Sequence, residues 1–252
     1  MSVLFSIISP TYNCRGKIKA TLDSVISQSV TNFEYLIIDG FSTDGTKEWI
    51  SQIQDQRVRI LSEPDSGIYE AMNKGVKMAR GSYLIFLGAG DRLCPDVLLE
   101  LSQVIRDKNP GFVYGNVYWF DRTFVYGGEF STKRLAFQNI CHQAIFYHRD
   151  IFEFIGHFNL KYKLLADWEM NLRCFGDDRI EIVYVPTVIS HYEAGGISGN
   201  ADPNFQSDKN ALILRHLGWR IYLGYCFKDI RDNLRNIGIR CFRKIRVLFH
   251  NN

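Results

Sequence analysis

At 252 residues the chain can bury one sizeable core, and one domain with an appendage suits that length better than two equal domains. Hydrophobic residues make up 46% and charged residues 23%, with no low-complexity tract, which excludes a disordered or fibrous chain. Net charge is +3 but uneven: from Arg215 onward nine Lys/Arg face two Asp, so the preceding residues are net negative and the tail is a separate electrostatic object.

In chain order, the start Met1 to Pro10 has no basic leader, and its apolar run is too short for a signal peptide. Residues 3–9 read instead as a buried strand. Further strands are predicted at 33–39, 57–62 and 82–87, with helices at 16–27, 46–53 and 68–79 between them. This β-α-β-α-β-α-β order predicts an α/β fold with a Rossmann-like, mostly parallel sheet and helices on both faces. After Pro95 a helix at 96–107 leads to aromatic-rich β segments at 112–120 and 123–130, a helix at 165–174 and a last core strand at 181–190. A Gly-rich turn, Glu193 to Ser198, precedes a helical, basic tail. The six cysteines form no Cys-x-x-Cys pair and have no His partner at zinc-finger spacing, so a disulfide scaffold and structural zinc are not expected. No stretch approaches the ~20 apolar residues of a membrane span. These absences predict a cytoplasmic protein.

In such sheets ligands bind beyond the carboxyl ends of the strands. Those positions hold Pro10-Thr11-Tyr12-Asn13, Asp39-Gly40-Phe41-Ser42, Glu63-Pro64-Asp65-Ser66-Gly67 and Gly88-Ala89-Gly90-Asp91, all polar, Gly-bearing or acidic. The absence of Gly-x-x-x-x-Gly-Lys-Ser/Thr excludes a P-loop. Gly88-x-Gly90 follows the fourth strand, whereas a dinucleotide fingerprint would follow the first. A carboxylate-rich site remains, suited to a divalent cation and, through it, a diphosphate.

The runs Ile8-Ser9-Pro10-Thr11-Tyr12-Asn13, Ile38-Asp39-Gly40-Phe41-Ser42-Thr43-Asp44-Gly45-Thr46 and Glu63-Pro64-Asp65-Ser66-Gly67-Ile68-Tyr69-Glu70-Ala71-Met72-Asn73-Lys74-Gly75 resemble those of family 2 glycosyltransferases with the GT-A fold. The resemblance covers about residues 3–200 and is most specific through Asp91. It implies inverting transfer of a sugar from a nucleotide diphosphate sugar, UDP-sugar favoured, to a glycan or polyprenyl-diphosphate-linked acceptor in bacterial surface polysaccharide synthesis. It also implies a catalytic domain over 1–214, with a nucleotide-binding half at 1–95 and an acceptor-binding half at 96–214, ahead of the tail at 215–252.

The resemblance places Pro10, Thr11, Tyr12, Asn13, Asp39, Ser42, Asp65, Gly67, Asn73, Lys74, Ala89 and Gly90 around the donor, with Thr11, Tyr12, Asp39 and Gly67 framing base and ribose. A Tyr ring stacks on a pyrimidine, and a carboxylate such as Asp39 accepts the ring N–H that uracil has and cytosine lacks; guanine also has such a donor. Asp91 aligns with the last acid of the family's metal motif, for Mn or Mg, while Gly90 stands where many relatives carry another acid. His191, by the same likeness, completes the metal shell. Asp167 falls at the position of the base that deprotonates the acceptor, with Ala166 in place of a frequent first acid; its other reading is a cap for the helix that follows. His142 is a candidate lining of the acceptor pocket, or a satisfied core residue.

The tail interleaves apolar side chains such as Trp219, Leu223 and Phe227 with its cations, as a helix lying on an anionic bilayer does, or one packing on the domain or on a second copy in a homo-oligomer. No nucleic acid partner is expected. Two other functions compete: a sugar nucleotidyltransferase, whose Gly-rich, Arg-bearing loop would occupy the place of Pro10 to Asn13, and an inactive nucleotide-sugar-binding protein, suggested by Gly90 and Ala166. Asp91 and Asp167 stand against the second.

Overall fold

Runs of β-branched and aromatic residues alternate with short amphipathic stretches through the first half of the chain. The computed structural model describes residues 3–105, 111–119, 124–193 and 201–249. It turns that alternation into β1 (Phe5–Thr11), α1 (Ile18–Ile26), β2 (Phe33–Asp39), α2 (Thr46–Ile50), β3 (Val58–Ser62), α3 (Ile68–Met78) and β4 (Tyr83–Phe86). These four strands pair in parallel, in the order β3-β2-β1-β4. Every residue of β1 and β2 is buried, as expected for central strands covered by helices on both faces.

Alternation along these strands divides the core into two layers. Ile8, Leu36, Ile38, Leu84 and Phe86 face a cluster completed by Met72 of α3 and by helices from the second half. Ile7, Tyr35, Ile37 and Ile85 face Ile18, Leu22 and Val25 of α1. β2 buries two carboxylates, Glu34 and Asp39; Glu34 accepts from Ser6 Oγ at 2.7 Å and pairs with Arg59 at 2.7 Å, which offsets its desolvation.

The second half adds β5 (Arg92–Leu93), α4 (Val97–Val104), β6 (Gly111–Trp119), β7 (Phe124–Tyr126), α5 (Thr132–Leu135), a 3-10 turn at His142–Ala144, β8 (Ile145–His148), α6 (Asp150–Phe154), α7 (Ala166–Phe175), β9 (Glu181–Tyr192) and α8 (Pro203–Phe249). The full sheet runs β3-β2-β1-β4-β8-β6-β9-β5, with β7 on β6. β8 lies antiparallel to β4 and β6, and β5 antiparallel to β9, so the sheet is parallel in its first half and mixed beyond. Neither β5 nor β8 is predicted from sequence, because two and four residues are too few to show a period.

Several boundaries move. β1 extends to Thr11, which pairs with Asp39, so Pro10 and Thr11 belong to the strand rather than to the turn after it. Pro10 lies past the last β4 pairing, Ile8 with Phe86, where its missing N–H forfeits no ladder bond on that side. The predicted β segment at 123–130 shortens to β7, and residues 106–107, 120 and 123 of the predicted elements, like residues 194–198 of the Gly-rich turn, lie outside the described residues.

The last helix starts at Pro203, ahead of the basic stretch. Asp202 accepts from Phe205 N at 3.2 Å and sits before Pro203, a cap followed by the residue best suited to a first helical turn. α8 then breaks at Gly218, whose φ of 83° is left-handed. Before the break, Phe205 stacks on Trp168 of α7 with ring centroids 5.2 Å apart; after it, Tyr225 meets Phe137 at 4.9 Å.

Candidate active site

A cleft of about 850 Å³ opens beyond the carboxyl ends of β1, β2 and β4 and reaches the end of β9. Of the residues singled out from sequence, Pro10, Thr11, Tyr12, Asn13, Asp65, Gly67, Ala89 and Asp91 line it. Asp39, Ser42, Asn73, Lys74, Gly90, Asp167 and His191 do not form its wall, and each has another placement.

At one end Tyr12 is 65% exposed, its ring free to cover a planar ligand. Asn13 adopts a left-handed φ of 47° and ties two loops together: its N–H donates to Ser42 Oγ at 2.9 Å and its Oδ1 accepts from Thr43 N at 2.9 Å. Asp39 is fully buried beneath this floor. Its Oδ2 accepts from Ser42 N at 3.1 Å and Ser62 Oγ at 2.7 Å, and its Oδ1 accepts from Ser42 Oγ. Asp39 therefore organises the loop that carries the cleft wall.

Two carboxylates reach the cleft here: Asp44, which accepts from Arg15 N and from Thr46, and Asp65, which stands beside Gly40. A Cβ on Gly40 would lie 2.7 Å from Asp65 Oδ2, so the Asp65 carboxylate occupies the space that a side chain at position 40 would fill. Its Oδ1 accepts from Gly67 N at 3.0 Å, and Gly67 holds a φ of 136° that a side chain would strain. Burial pushes the Asp65 carboxyl above its ordinary pKa. On α3, Asn73 exchanges two hydrogen bonds with the Phe158 backbone, at 2.9 and 3.0 Å, and Lys74 reaches Pro64 O at 2.6 Å and Glu63 at 3.0 Å. Both fasten α3 to its surroundings.

At the other end, Asp91 is buried, with Oδ2 accepting from Gly88 N at 3.0 Å and Oδ1 from Glu193 N at 2.9 Å. Burial raises its pKa against these donors. Gly90 has a φ of 107°, and a Cβ there would meet Glu193 Cγ at 3.0 Å. The Glu193 side chain, which lines the cleft, thus fills the space that an acid at position 90 would take. His191 is paired with Arg92 in β5, its ring 5.2 Å from that of Tyr118; burial and the Arg92 charge lower its pKa. Tyr192 and Glu193, its neighbours on β9 and just past it, face the cleft.

Among the described residues no three His, Cys, Asp or Glu side chains cluster as a metal cage. The donor set nevertheless fits a hard cation. Two backbone donors occupy Asp91, leaving about two of its four carboxylate acceptor positions, and Glu193 stands beside it. Mg²⁺-type sites typically take one or two carboxylates and complete their shell with phosphate oxygens and water.

The third wall is the 3-10 turn His142–Ala144, which presents His142 and Gln143 to the cleft. Behind His142 lies Asp167, only 6% exposed. α7 starts at Ala166 after Leu165, so Asp167 sits inside the first turn and is not the N-cap residue. Its Oδ1 accepts from Trp168 N and Tyr69 Oη, both at 2.9 Å; its Oδ2 accepts from Asn139 Nδ2 at 3.1 Å and lies 3.3 Å from His142 Nδ1. The Tyr69 hydroxyl is also 2.9 Å from the Leu164 carbonyl, but its single proton favours the charged acceptor. Sequence reasoning missed Glu193, Tyr69 and Asn139, whose parts depend on contacts with residues far away in the chain.

The glycosyl transferase family 2 model matches residues 6–161. A PGL/p-HBAD biosynthesis glycosyltransferase of Mycobacterium tuberculosis is 43% identical over 203 residues, which is 77% of this chain and 79% of that protein. Among solved structures, S. aureus TarS 1-349 in complex with UDP matches with a TM-score of 0.66 at 18% identity, over 84% of this chain and 65% of that one. The mannosyltransferase PcManGT of Pyrobaculum calidifontis, in complex with GDP-Man and Mn²⁺, matches with a TM-score of 0.61 at 17% identity, over 94% and 79%. At such identities the structures speak for the fold, which is GT-A. By its sequence the chain belongs to glycosyl transferase family 2 and is a glycosyltransferase.

Proposed function

We propose that this glycosyltransferase moves a sugar, with inversion, from a UDP-sugar to a hydroxyl of a glycan or polyprenyl-diphosphate-linked acceptor. The observation that carries the donor assignment is the pairing at one end of the cleft of an exposed Tyr12 ring with the Asp65 carboxylate, set in the gap at Gly40. The ring covers one face of the uracil and the carboxylate accepts its ring N–H. Asp39 and Ser42 act from below, holding the loop in place. The UDP complex of TarS supports this reading.

The diphosphate then extends toward Ala89 and Asp91. Asp91, with Glu193 beside it, would hold Mn²⁺ or Mg²⁺, and the Mn²⁺ in the PcManGT complex supports that assignment. When bound, such an ion neutralises charge on the leaving diphosphate. The acceptor hydroxyl enters from the wall of the acceptor half, 96–214, so that its proton departs toward the Asp167 cluster on the side away from the diphosphate.

No helix among the described residues is long and apolar enough to cross a membrane. Beyond the break at Gly218, Trp219, Leu223 and Phe227 are exposed at successive four-residue steps, which places them on one helical face. With the surrounding Lys and Arg they suit an anionic bilayer, and so a peripheral position on the cytoplasmic face of the membrane that bears a lipid-linked acceptor.

Calorimetric titration of UDP tests the reading. Wild-type protein binds UDP in preference to CDP, more tightly with Mn²⁺ than with chelator, and Asp65→Ala weakens UDP about tenfold, the loss of one hydrogen bond to a charged group. Equal affinity of Asp65→Ala and wild type would return Asp65 to a purely structural part. Asp91→Ala loses the Mn²⁺ effect.

A further inference from the structure

We propose that the groove between α5 and the part of α8 beyond Gly218 is a binding site for the phosphate headgroup of an anionic membrane phospholipid; this deepens the peripheral-membrane reading above and rests on it. The groove has a volume of about 780 Å³ and shares no residue with the nucleotide cleft. Three cations, Lys133, Arg134 and Lys228, line it, and no carboxylate among the described residues does. None of the three has an ion-pair partner among the described residues.

The polar side chains of the groove are arranged to donate. Arg134 braces the wall: Nη1 and Nη2 donate to the carbonyls of Glu129 and Gly127 at 3.0 and 2.8 Å, and its guanidinium covers the Phe130 ring at 3.8 Å. Its Nε donates to Gln138 Oε1 at 3.1 Å and its N–H to Ser131 Oγ at 3.2 Å. Each partner thus has its oxygen engaged and keeps its own protons for the groove. Lys228 Nζ stands over the Phe137 ring at 4.0 Å, and that ring meets Tyr225 at 4.9 Å, which holds the ammonium against the groove wall. Lys133, also exposed, adds a second ammonium. Ammonium, amide and hydroxyl donors without a carboxylate match the oxygens of a phosphate.

The surroundings identify the source of that phosphate. Gly224 and Lys228 are four residues apart, so both lie on the groove side of α8. Leu223 and Phe227 each precede them by one residue, about 100° round the helix, and with Trp219 are exposed. The cationic groove therefore borders an apolar face, as the headgroup and acyl regions of a lipid border each other. Because the groove and the nucleotide cleft have separate walls, its ligand is not held at the reacting carbon, which favours a bilayer phospholipid over the sugar acceptor. Gly224 keeps the groove open: a Cβ there would meet nothing within 4 Å.

The test uses the full chain and water-soluble short-chain lipids, so that headgroup binding is read apart from insertion of the apolar face. Calorimetric titration, with UDP saturating the cleft, should show one site for dihexanoyl phosphatidylglycerol and far weaker binding of dihexanoyl phosphatidylcholine. Replacing Lys133 and Lys228 together with Gln should weaken phosphatidylglycerol binding about tenfold or more. Gly224→Leu, which fills the groove and leaves the charge unchanged, should weaken it comparably, with melting temperatures near wild type for both variants. Replacing Arg215 and Arg220 with Gln removes the same charge from α8 outside the groove and should leave the affinity near wild type. Equal losses in the two charge variants, or wild-type affinity in Gly224→Leu, overturns the groove assignment and leaves membrane contact through the apolar face, which co-sedimentation of the wild type with phosphatidylglycerol vesicles reports. Tighter binding of farnesyl diphosphate than of the phosphatidylglycerol assigns the groove to a prenyl diphosphate and overturns the phospholipid assignment. A wild type that does not sediment with these vesicles overturns the membrane reading and this proposal with it.

Discussion

Two glycines carry unusual weight at the residue scale. Gly40 leaves room for Asp65, and Gly90 leaves room for Glu193, so in each case a side chain from another element fills the space beside a strand end. Gly40→Ala would put a methyl 2.7 Å from Asp65 Oδ2. It should weaken UDP binding about as much as Asp65→Ala, roughly tenfold, with little change in melting temperature, and calorimetry beside a thermal melt checks both. The sequence exposes the missing acid at position 90 but not its replacement, because Glu193 is more than a hundred residues away and only the pairing of β5 with β9 brings it there. Asn73 shows the converse. It lies in the most specific of the motifs, yet its amide is spent on the Phe158 backbone, 85 residues on. Asn73→Ala should cost about 1–3 kcal/mol of stability by leaving buried backbone groups unpaired, with UDP affinity unchanged.

The elements divide by how much local signal they carry. β2 matches its predicted span, 33–39, because a strand buried on both faces is a continuous apolar run with clear ends. α3 and α7 fall within one residue of their predicted spans at each end. β5 and β8 were illegible because they exist only through partners, β9 for one and β4 and β6 for the other. The last helix gives two predictions. Burial pulls the pKa of His216, just before the break at Gly218, from 6.5 down to about 4, so folding favours its neutral form. Between these values the unfolded chain binds the extra proton, so this contribution to stability is complete above pH 6.5 and is lost as pH falls toward 4. His216→Gln should flatten the fall in melting temperature over that interval. The exposed Trp219 and Phe227 belong to the second prediction: replacing both with Ser should reduce co-sedimentation with phosphatidylglycerol vesicles at least severalfold, while UDP binding stays as in wild type. Unchanged sedimentation would assign this face to a second copy or to the solvent.

Across the whole molecule, the sheet brings three chemistries to one cleft. The parallel half sets Tyr12 and Asp65 at its strand ends, β4 delivers Asp91, and the mixed half returns through β8 and β9 to add His142 and Glu193. That Tyr12, Asp65 and Asp91 meet at one cleft was legible because their motifs follow directly on the strands that position them. The surroundings of Asp167 were not, since it faces a ring from the 3-10 turn and a hydroxyl from α3 rather than the cleft itself. The account stands most directly on transfer from a UDP-sugar. With radiolabelled UDP-sugars, Mn²⁺ and a bacterial lipid-linked glycan extract, wild-type protein should carry label into the lipid or glycan fraction, releasing UDP in equal amount, and Asp91→Ala should carry none. Label that stays on the nucleotide, with pyrophosphate formed instead of UDP, would contradict it.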